Sequence, residues 1–222
     1  MFLEISDNPV TGFIPKELGN LKNLHSLHLA RNKFSRPIPS SLSHLSKLVY
    51  LSLSSNQING SILSEIGNMK NLEHLFLYKN KLTSPIPSSL SYLTKLVSLS
   101  LGSNQINGSI LLEIGIMKNL NYLSLFNNKL SRPIPSSLGH LNKLVSLSLD
   151  SNQISGSILS KIGHLTKMET LNLSWNQING SISMEIANCS SLDTLSSSHN
   201  YLTGTIPSQI QDIYSLHLID LS

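Results

Sequence analysis

Asparagine recurs once every 24 residues along this sequence, with no insertion or deletion between successive positions. A fixed period of this length predicts a solenoid, because a unit of this size cannot bury an apolar face alone and must stack on its neighbours. The whole chain, 1–222, is therefore expected to form one array of about nine coils. The repeated residues are Asn8, Asn32, Asn56, Asn80, Asn104, Asn128, Asn152, Asn176 and Asn200.

A short strand is expected just before each asparagine. In Leu27-His28-Leu29, two leucines alternate with a polar residue, which is the period of a half-buried strand. The side chain of Asn32 can bond nearby backbone groups, so it is expected to end the strand in a tight turn. Stacked asparagines would form a ladder that satisfies backbone groups otherwise buried without partners. Successive strands run in the same direction, about 4.8 Å apart, and predict a parallel sheet roughly 40 Å long.

The return half of each coil predicts extended chain followed by a short helix. Ile38-Pro39 recurs as Ile86-Pro87, and proline removes a backbone donor that a long helix would need. The leucines of Leu42-x-x-Leu45-x-x-Leu48 are three residues apart, which is the spacing of a 3₁₀ segment. The predicted fold class is therefore α/β: a right-handed solenoid with a parallel β-sheet on its concave face and 3₁₀ segments on its convex face.

A second period of 48 residues lies within the first, since residues 40–87, 88–135 and 136–183 match one another better than adjacent coils do. One coil of each pair has glycine four residues after the ladder asparagine, as at Gly60. The other coil has Arg36, Ser84 or Arg132 there, followed by proline. Copying of coil pairs is typical of a family that varies the length of its array, and it favours a recognition protein over an enzyme.

The titratable residues do not form the pattern of a catalytic or metal site. There is no His-Glu-x-x-His sequence and no second cysteine, and Cys189 falls at a core position that leucine or methionine holds elsewhere. The sequence also lacks the glycine-rich loop and the other short motifs of a protein kinase. We expect no catalytic residues, no metal and no cofactor in this chain, and any serine/threonine kinase domain would belong to a longer parent protein.

The net charge of +4 comes largely from lysines that recur once per unit before the strands. They could form a basic edge for an acidic partner, or a solvated rim that keeps the array soluble, and the second interpretation is favoured. These lysines are Lys22, Lys47, Lys70, Lys95, Lys118, Lys143 and Lys167.

Both ends of the chain fall inside a repeat. It begins with Leu3-x-Ile5-x-x-Asn8 already at strand positions and ends with Leu216-x-x-Ile219-x-Leu221. We therefore expect an array cut at both ends, without the polar capping units that solenoids need, and with weak terminal coils. The sequence shows neither a signal peptide nor an apolar run long enough to span a membrane.

The frame of the repeat carries a family resemblance. Residues 10–21 and Leu202-Thr203-Gly204-Thr205-Ile206-Pro207 match the pattern L-x-x-L-x-L-x-x-N-x-L-x-G-x-I-P-x-x-L-G-x-L almost residue for residue. Along its whole length the chain resembles the plant-type extracellular leucine-rich-repeat family. The resemblance implies a curved solenoid with a ligand-facing concave sheet, as in the ectodomain of a receptor-like kinase or receptor-like protein. The sequence departs from the pattern where glycine is replaced at Arg36, Ser84 and Arg132, and where proline is replaced at Leu63, Leu111, Leu159 and Ser183.

A partner is expected on the concave face, at the positions that flank the strand leucines, because alternate residues of a strand leave the core. Affinity is expected to concentrate on Phe76, Tyr78, Tyr122 and Phe126, since exposed aromatic rings are typical of binding hot spots. Tyr78 and Phe126 are two coils apart with Gly102 between them, which predicts a groove roughly 10 Å wide between two rings. The alternative is that isolated aromatic side chains simply cover the strands. The candidate ligand-binding residues are Tyr50, His74, Phe76, Tyr78, Tyr122, Phe126 and Trp175.

The resemblance implies a peptide or protein ligand, with a co-receptor in a signalling assembly, and gives no reason to expect nucleic acid or membrane contact by this segment. It places the chain on the extracellular side of the plasma membrane or in the apoplast, in signalling or defence. Two alternatives remain: a secreted protein like a polygalacturonase inhibitor, and an intracellular scaffold. Five Asn-x-Ser glycosylation sequons occur, a number that chance alone could supply, at Asn59, Asn107, Asn172, Asn179 and Asn188.

Overall fold

The computed structural model describes residues 1–222, in which ten short parallel strands alternate with nine 3₁₀ helices and a second short strand precedes each helix. We number the coils 1 to 10 by their strands, all of which join one sheet in sequence order. These strands are Phe2–Glu4, Ser26–His28, Tyr50–Ser52, His74–Phe76, Ser98–Ser100, Tyr122–Ser124, Ser146–Ser148, Thr170–Asn172, Thr194–Ser196 and Leu218–Asp220. The predicted solenoid with its concave parallel sheet is confirmed.

Each strand pairs with the next one without any shift of register. Leu27 lies opposite Leu51, and Leu51 lies opposite Leu75, so the middle residue of every strand belongs to one buried column. The residues on either side of that column face out on the concave surface, because side chains of a strand alternate between its two faces.

Short strands on one side of the array follow the ladder asparagines and form three small parallel sheets of two, two and five strands. Their bounds are Thr11–Gly12, Lys33–Phe34, Asn59–Ser61, Lys81–Thr83, Asn107–Gly108, Lys129–Arg132, Gln153–Gly156, Gln177–Gly180 and Tyr201–Leu202. We call this side the lateral edge.

The convex face consists only of five-residue 3₁₀ helices, as the three-residue leucine spacing predicts. None of the helices has the length and apolar character required to cross a membrane. Their bounds are Lys16–Asn20, Ser40–His44, Ser64–Asn68, Ser88–Tyr92, Leu112–Ile116, Ser136–His140, Ser160–His164, Met184–Asn188 and Ser208–Asp212.

One continuous apolar core of 54 residues runs the length of the array. Cys189 is fully buried in it, and its thiol lies 3.2 Å from the carbonyl oxygen of Ile162. The outermost coils are less well covered, since Phe2 is 60% exposed and Ile219 is 42% exposed. Ser197 lies in a column that leucine occupies elsewhere, is buried, and has a hydroxyl without a hydrogen-bond partner.

The asparagines link each coil to the preceding one through backbone groups. In the middle of the array, the side-chain nitrogen of Asn104 donates to the carbonyl oxygens of Leu77 and Leu101, each at 3.0 Å. Its side-chain oxygen accepts from the amide of Leu82 at 2.9 Å. The same three contacts recur along the interior coils, and each asparagine thereby satisfies backbone groups that the sheet leaves without a partner.

The 48-residue period coincides with a close contact between proline and glycine on the lateral edge. Gly108 has φ +82°, and a Cβ placed on it would lie 3.2 Å from the Cβ of Pro85 in the preceding coil. Pro37 and Gly60 have the same relation, as do Pro133 and Gly156. A coil that carries this proline therefore favours glycine in the coil that follows it.

The other coil of each pair has no such requirement. Arg36, Ser84 and Arg132 occupy the same turn with φ between +69° and +74°, although left-handed backbone favours glycine. Ser84 and Arg132 follow coils in which serine, at Ser61 and Ser109, replaces the proline. Two successive coils are thus the smallest unit whose copying preserves the match between proline and glycine.

Candidate ligand-binding surface

Aromatic rings from coils 1 to 4 pack together on the concave face. The ring centroids of Tyr50 and Phe76 are 5.4 Å apart, and those of Tyr50 and His74 are 5.5 Å apart. His28 stacks on Tyr50 at 4.3 Å with an interplanar angle of 13°, and Phe2 lies 4.9 Å from His28. We call these five rings the aromatic cluster. Such contacts fix side-chain rotamers before any ligand arrives.

Sequence reasoning identified Tyr50, His74 and Phe76 but missed His28 and Phe2 as members of this cluster. The signal was present in the period, because His28 occupies the same strand position as Phe76, and Phe2 the same position as Tyr50. The period therefore assigns all five residues to the concave face.

An open pocket of about 460 Å³ borders the cluster, with Tyr50, Phe76 and Tyr78 on its apolar side. Arg31 and Asp7 line its polar side and form a two-point ion pair, in which one guanidinium nitrogen lies 2.7 Å from Asp7 Oδ2. This pair lowers the pKa of Asp7 and raises the pKa of Arg31, so both groups are charged at neutral pH.

Two further groups in the pocket have shifted pKa values. A hydrogen bond from Ser6 lowers the pKa of Glu4, whose Oε1 accepts from the Ser6 amide at 2.9 Å. Burial raises the pKa of the Tyr50 phenol, and nearby Glu4 and Tyr78 contribute in the same direction. The pocket therefore presents two carboxylates, one guanidinium and the neutral phenol of Tyr50 beside the aromatic cluster.

The groove predicted between Tyr78 and Phe126 is not open, and that prediction was wrong. The ring of Phe126 lies directly over Gly102, so close that a Cβ on Gly102 would be 2.3 Å from it. Glycine has no side chain to hold the ring away from the strand, so the ring covers the space that the sequence suggested was free. Tyr122 is 37% exposed, and neither Tyr122 nor Phe126 contacts another aromatic ring.

Trp175 forms a separate feature in coil 8. Its ring stacks on His199 of the next coil at 3.7 Å with an interplanar angle of 9°, and Trp175 remains 58% exposed. The seven predicted residues thus divide into three places on the concave face. Tyr50, His74, Phe76 and Tyr78 lie together near the N-terminal end, Tyr122 and Phe126 in coil 6, and Trp175 in coil 8.

The recurring lysines lie on the side of the sheet opposite the lateral edge, because they precede the parallel strands. Several already have a partner within the array. The ammonium groups of Lys47, Lys95 and Lys143 each donate to an asparagine side chain of the preceding coil at 2.8 Å. Lys70 lies 4.7 Å above the ring of Tyr92. These contacts accord with the solvated rim that the sequence analysis favoured. No group of three histidine, cysteine or acidic side chains has the geometry to hold a metal ion.

Sequence and structure comparisons identify relatives along the whole chain. A profile described as "Leucine-rich repeat region" matches residues 50–222, and a second, "Leucine rich repeat", matches residues 1–58. No curated protein sequence gives a significant match.

Three solved structures illustrate the similarity. The plant peptide hormone receptor RGFR1, in complex with RGF2, is 34% identical with a TM-score of 0.91, over 99% of this chain and 39% of the receptor chain. A TDR receptor is 34% identical with a TM-score of 0.88, over 98% of this chain and 42% of its own. The Arabidopsis receptor kinase HAESA, solved with the peptide hormone IDA and the co-receptor SERK1, is 32% identical with a TM-score of 0.83. That match covers 99% of this chain and 41% of HAESA.

This chain therefore spans about two fifths of the length of each of these structures. Together the two repeat profiles cover it from end to end. The chain belongs to the leucine-rich-repeat family, in its plant-type extracellular form.

Proposed function

We propose that this array is a peptide- or protein-recognition module whose concave face binds the ligand, as a segment of the ectodomain of a plant receptor-like kinase or receptor-like protein. The observation that carries the proposal is the aromatic cluster beside its charged pocket. The likeness to structures solved with peptide hormones supports the ligand class. In this proposal the array acts by binding on the extracellular side of the plasma membrane, and catalysis belongs to another part of the parent protein.

The aromatic cluster has the physical properties of a binding hot spot. Its rings are large, have few rotatable bonds and are already held by one another, so little entropy is lost when a ligand covers them. The sheet beneath them is fixed by the register of ten strands and by the asparagine ladder. A ligand segment with apolar side chains would cover Tyr50 and Phe76, while its polar groups would meet Arg31, Asp7 and Glu4 in the pocket.

The remaining candidate residues extend this surface toward the C-terminal end. Tyr122 and Phe126 come next along the concave face, and Trp175 lies two coils further on. With strands about 4.8 Å apart, the distance from Tyr50 to Trp175 is roughly 24 Å, which an extended peptide of about seven residues spans. We therefore propose that the peptide runs along the array and crosses the strands.

The test begins with a ligand that can be measured. A random peptide library is selected against the full chain, and the strongest binder serves as the probe. Tyr50→Ala and Phe76→Ala are each expected to weaken its binding by about 2 kcal/mol, or roughly thirty-fold in Kd. Tyr92→Ala is the matched control, because Tyr92 is an exposed tyrosine on the convex face.

Binding that survives both concave substitutions but is lost on replacing Lys70 and Lys118 would contradict the proposal. That result would place the site on the lysine-bearing side of the array. Isothermal titration calorimetry on each variant, with circular dichroism to confirm the fold, separates loss of contact from loss of structure.

A further inference from the structure

Three asparagines form a line along the lateral edge: Asn59, Asn107 and Asn179. Each begins an Asn-Gly-Ser sequon, and the asparagine and the serine of every one of the three are exposed. With coils about 4.8 Å apart, Asn59 and Asn107 are separated by about 10 Å, and Asn107 and Asn179 by about 14 Å.

The side-chain amides of these three asparagines do not stabilise the fold. Most other coils have a hydroxyl residue in this column, and three of those hydroxyls bond the preceding coil. Ser35 donates to the carbonyl oxygen of Gly12 at 3.0 Å, Thr83 to that of Gly60 at 3.2 Å, and Ser131 to that of Gly108 at 3.3 Å. The side-chain amides of the three sequon asparagines make no hydrogen bond, so a substituent on their nitrogen atoms would break no contact of the array.

We propose that Asn59, Asn107 and Asn179 carry N-linked oligosaccharides, which make the lateral edge a glycan-covered surface. The proposal rests on the extracellular function proposed above, because the co-reactant is a lipid-linked oligosaccharyl diphosphate of the secretory pathway. The asparagine nitrogen forms a bond to the anomeric carbon of the sugar and loses one proton to a base of the oligosaccharyltransferase. The bond from that carbon to oxygen breaks, and the lipid diphosphate leaves with the electron pair.

The sequon at Asn172 is different, because it lies on the concave face. Asn172 is half-buried, and its side-chain oxygen accepts a hydrogen bond from the amide of Ser174 at 3.1 Å. The sequon hydroxyl belongs to Ser174, which is only 6% exposed and bonds Ser198 at 3.1 Å. A glycan on Asn172 would break these contacts and cover the strands beside Trp175. We infer that Asn172 stays unmodified.

This arrangement determines which sides of the array a partner can reach. Glycans on the lateral edge leave the aromatic cluster uncovered and prevent close contact between proteins along that edge. The remaining exposed sequon, Asn188, lies on the convex face, also away from the aromatic cluster. A protein that contacts both the ligand and the array would therefore approach from the lysine-bearing side.

The experiment expresses the full chain behind a secretory leader in a mammalian cell line. An amidase that removes N-glycans in ¹⁸O-water converts each modified asparagine to labelled aspartate, which peptide mass spectrometry detects. Label is expected at Asn59, Asn107 and Asn179 and not at Asn172. Replacing any one of the first three by glutamine should make the protein migrate faster on a gel by the mass of one glycan, whereas Asn172→Gln should not change its migration.

Coil 7 provides a gain-of-site control. It has Ser155-Gly156-Ser157 at the same place on the lateral edge, so Ser155→Asn completes the sequon there. This variant is expected to migrate more slowly by the mass of one glycan. An unlabelled lateral column, or label at Asn172, would overturn the inference.

The leader delivers the chain to the modifying enzyme whatever its natural route, so the result is independent of the proposed function. If Asn59, Asn107 and Asn179 are labelled but substitutions in the aromatic cluster do not weaken binding of the selected peptide, the proposed function is refuted and the glycan inference stands. If these asparagines are unlabelled but the peptide binds through the aromatic cluster, the glycan inference is refuted and the proposed function stands.

Discussion

The contact between Pro85 and Gly108 allows a direct test of why the coils alternate. A Cβ on Gly108 would lie 3.2 Å from the Cβ and 3.3 Å from the Cγ of Pro85. Gly180 has nearly the same backbone, with φ +76°, but a Cβ there would lie 3.4 Å from the Cβ of Ser157, an ordinary contact. Alanine therefore adds the same left-handed strain at both glycines and a steric conflict at Gly108 alone.

The two costs can be estimated separately. A left-handed backbone costs a residue with a Cβ about 1–2 kcal/mol. Alanine also restricts the unfolded chain, which offsets about 0.4–1 kcal/mol of that strain. We therefore expect Gly180→Ala to lower the free energy of unfolding by about 1 kcal/mol. At Gly108 the proline ring is rigid and cannot turn aside, so overpacking adds about 1–2 kcal/mol.

Urea unfolding of the full chain, followed by circular dichroism, measures these free energies. A double-mutant cycle with Pro85→Ser isolates the steric term, because serine occupies the same place before Gly180. The expected coupling energy is about 1–2 kcal/mol, so that Gly108→Ala in the Pro85→Ser background costs about the same as Gly180→Ala. Equal costs in the native background, or a coupling below about 0.3 kcal/mol, would refute the steric explanation of the 48-residue period.

Three further predictions concern the core and the ladder. Asn128→Ala is expected to lower the free energy of unfolding by about 2–3 kcal/mol, because three part-buried backbone groups of two neighbouring coils lose their partner. Asn8→Ala, at the exposed end, should cost under about 1 kcal/mol in the same urea assay, and similar costs would contradict the ladder's role. Ser197→Leu is expected to raise the midpoint of urea unfolding by the equivalent of about 1–2 kcal/mol, because it removes an unpaired buried hydroxyl and fills a leucine column. A lower midpoint would mean that coil 9 has closed around the smaller side chain. Burial raises the pKa of the Cys189 thiol to about 11, so the native state holds its proton longer than the unfolded state and stability should fall as pH rises from 9 toward 11. The difference in stability between the native chain and Cys189→Ala should shrink or reverse over that range, and a difference independent of pH would show that the thiol is not protected by folding.

The sequence alone determined the architecture. A 24-residue period with leucine at fixed places and asparagine at each turn has one economical solution, in which every coil repeats the backbone of the last one. The same period assigns each residue to a column, and it places Tyr50, Phe76 and Trp175 on the concave face from the sequence alone. Local rules suffice for this because each coil contacts only its immediate neighbours.

Only the tertiary structure decided how side chains of neighbouring columns and coils contact one another. Whether Phe126 stands upright or lies over Gly102 depends on the space left by the adjacent coil, which the period does not specify. The same holds for the stacking of His28 on Tyr50. Exposure also separated Asn59 from Asn172, although both begin an Asn-x-Ser sequon. Rotamers and contacts across coils depend on the exact sizes of side chains about 5 Å apart, and only the packed array brings those side chains together.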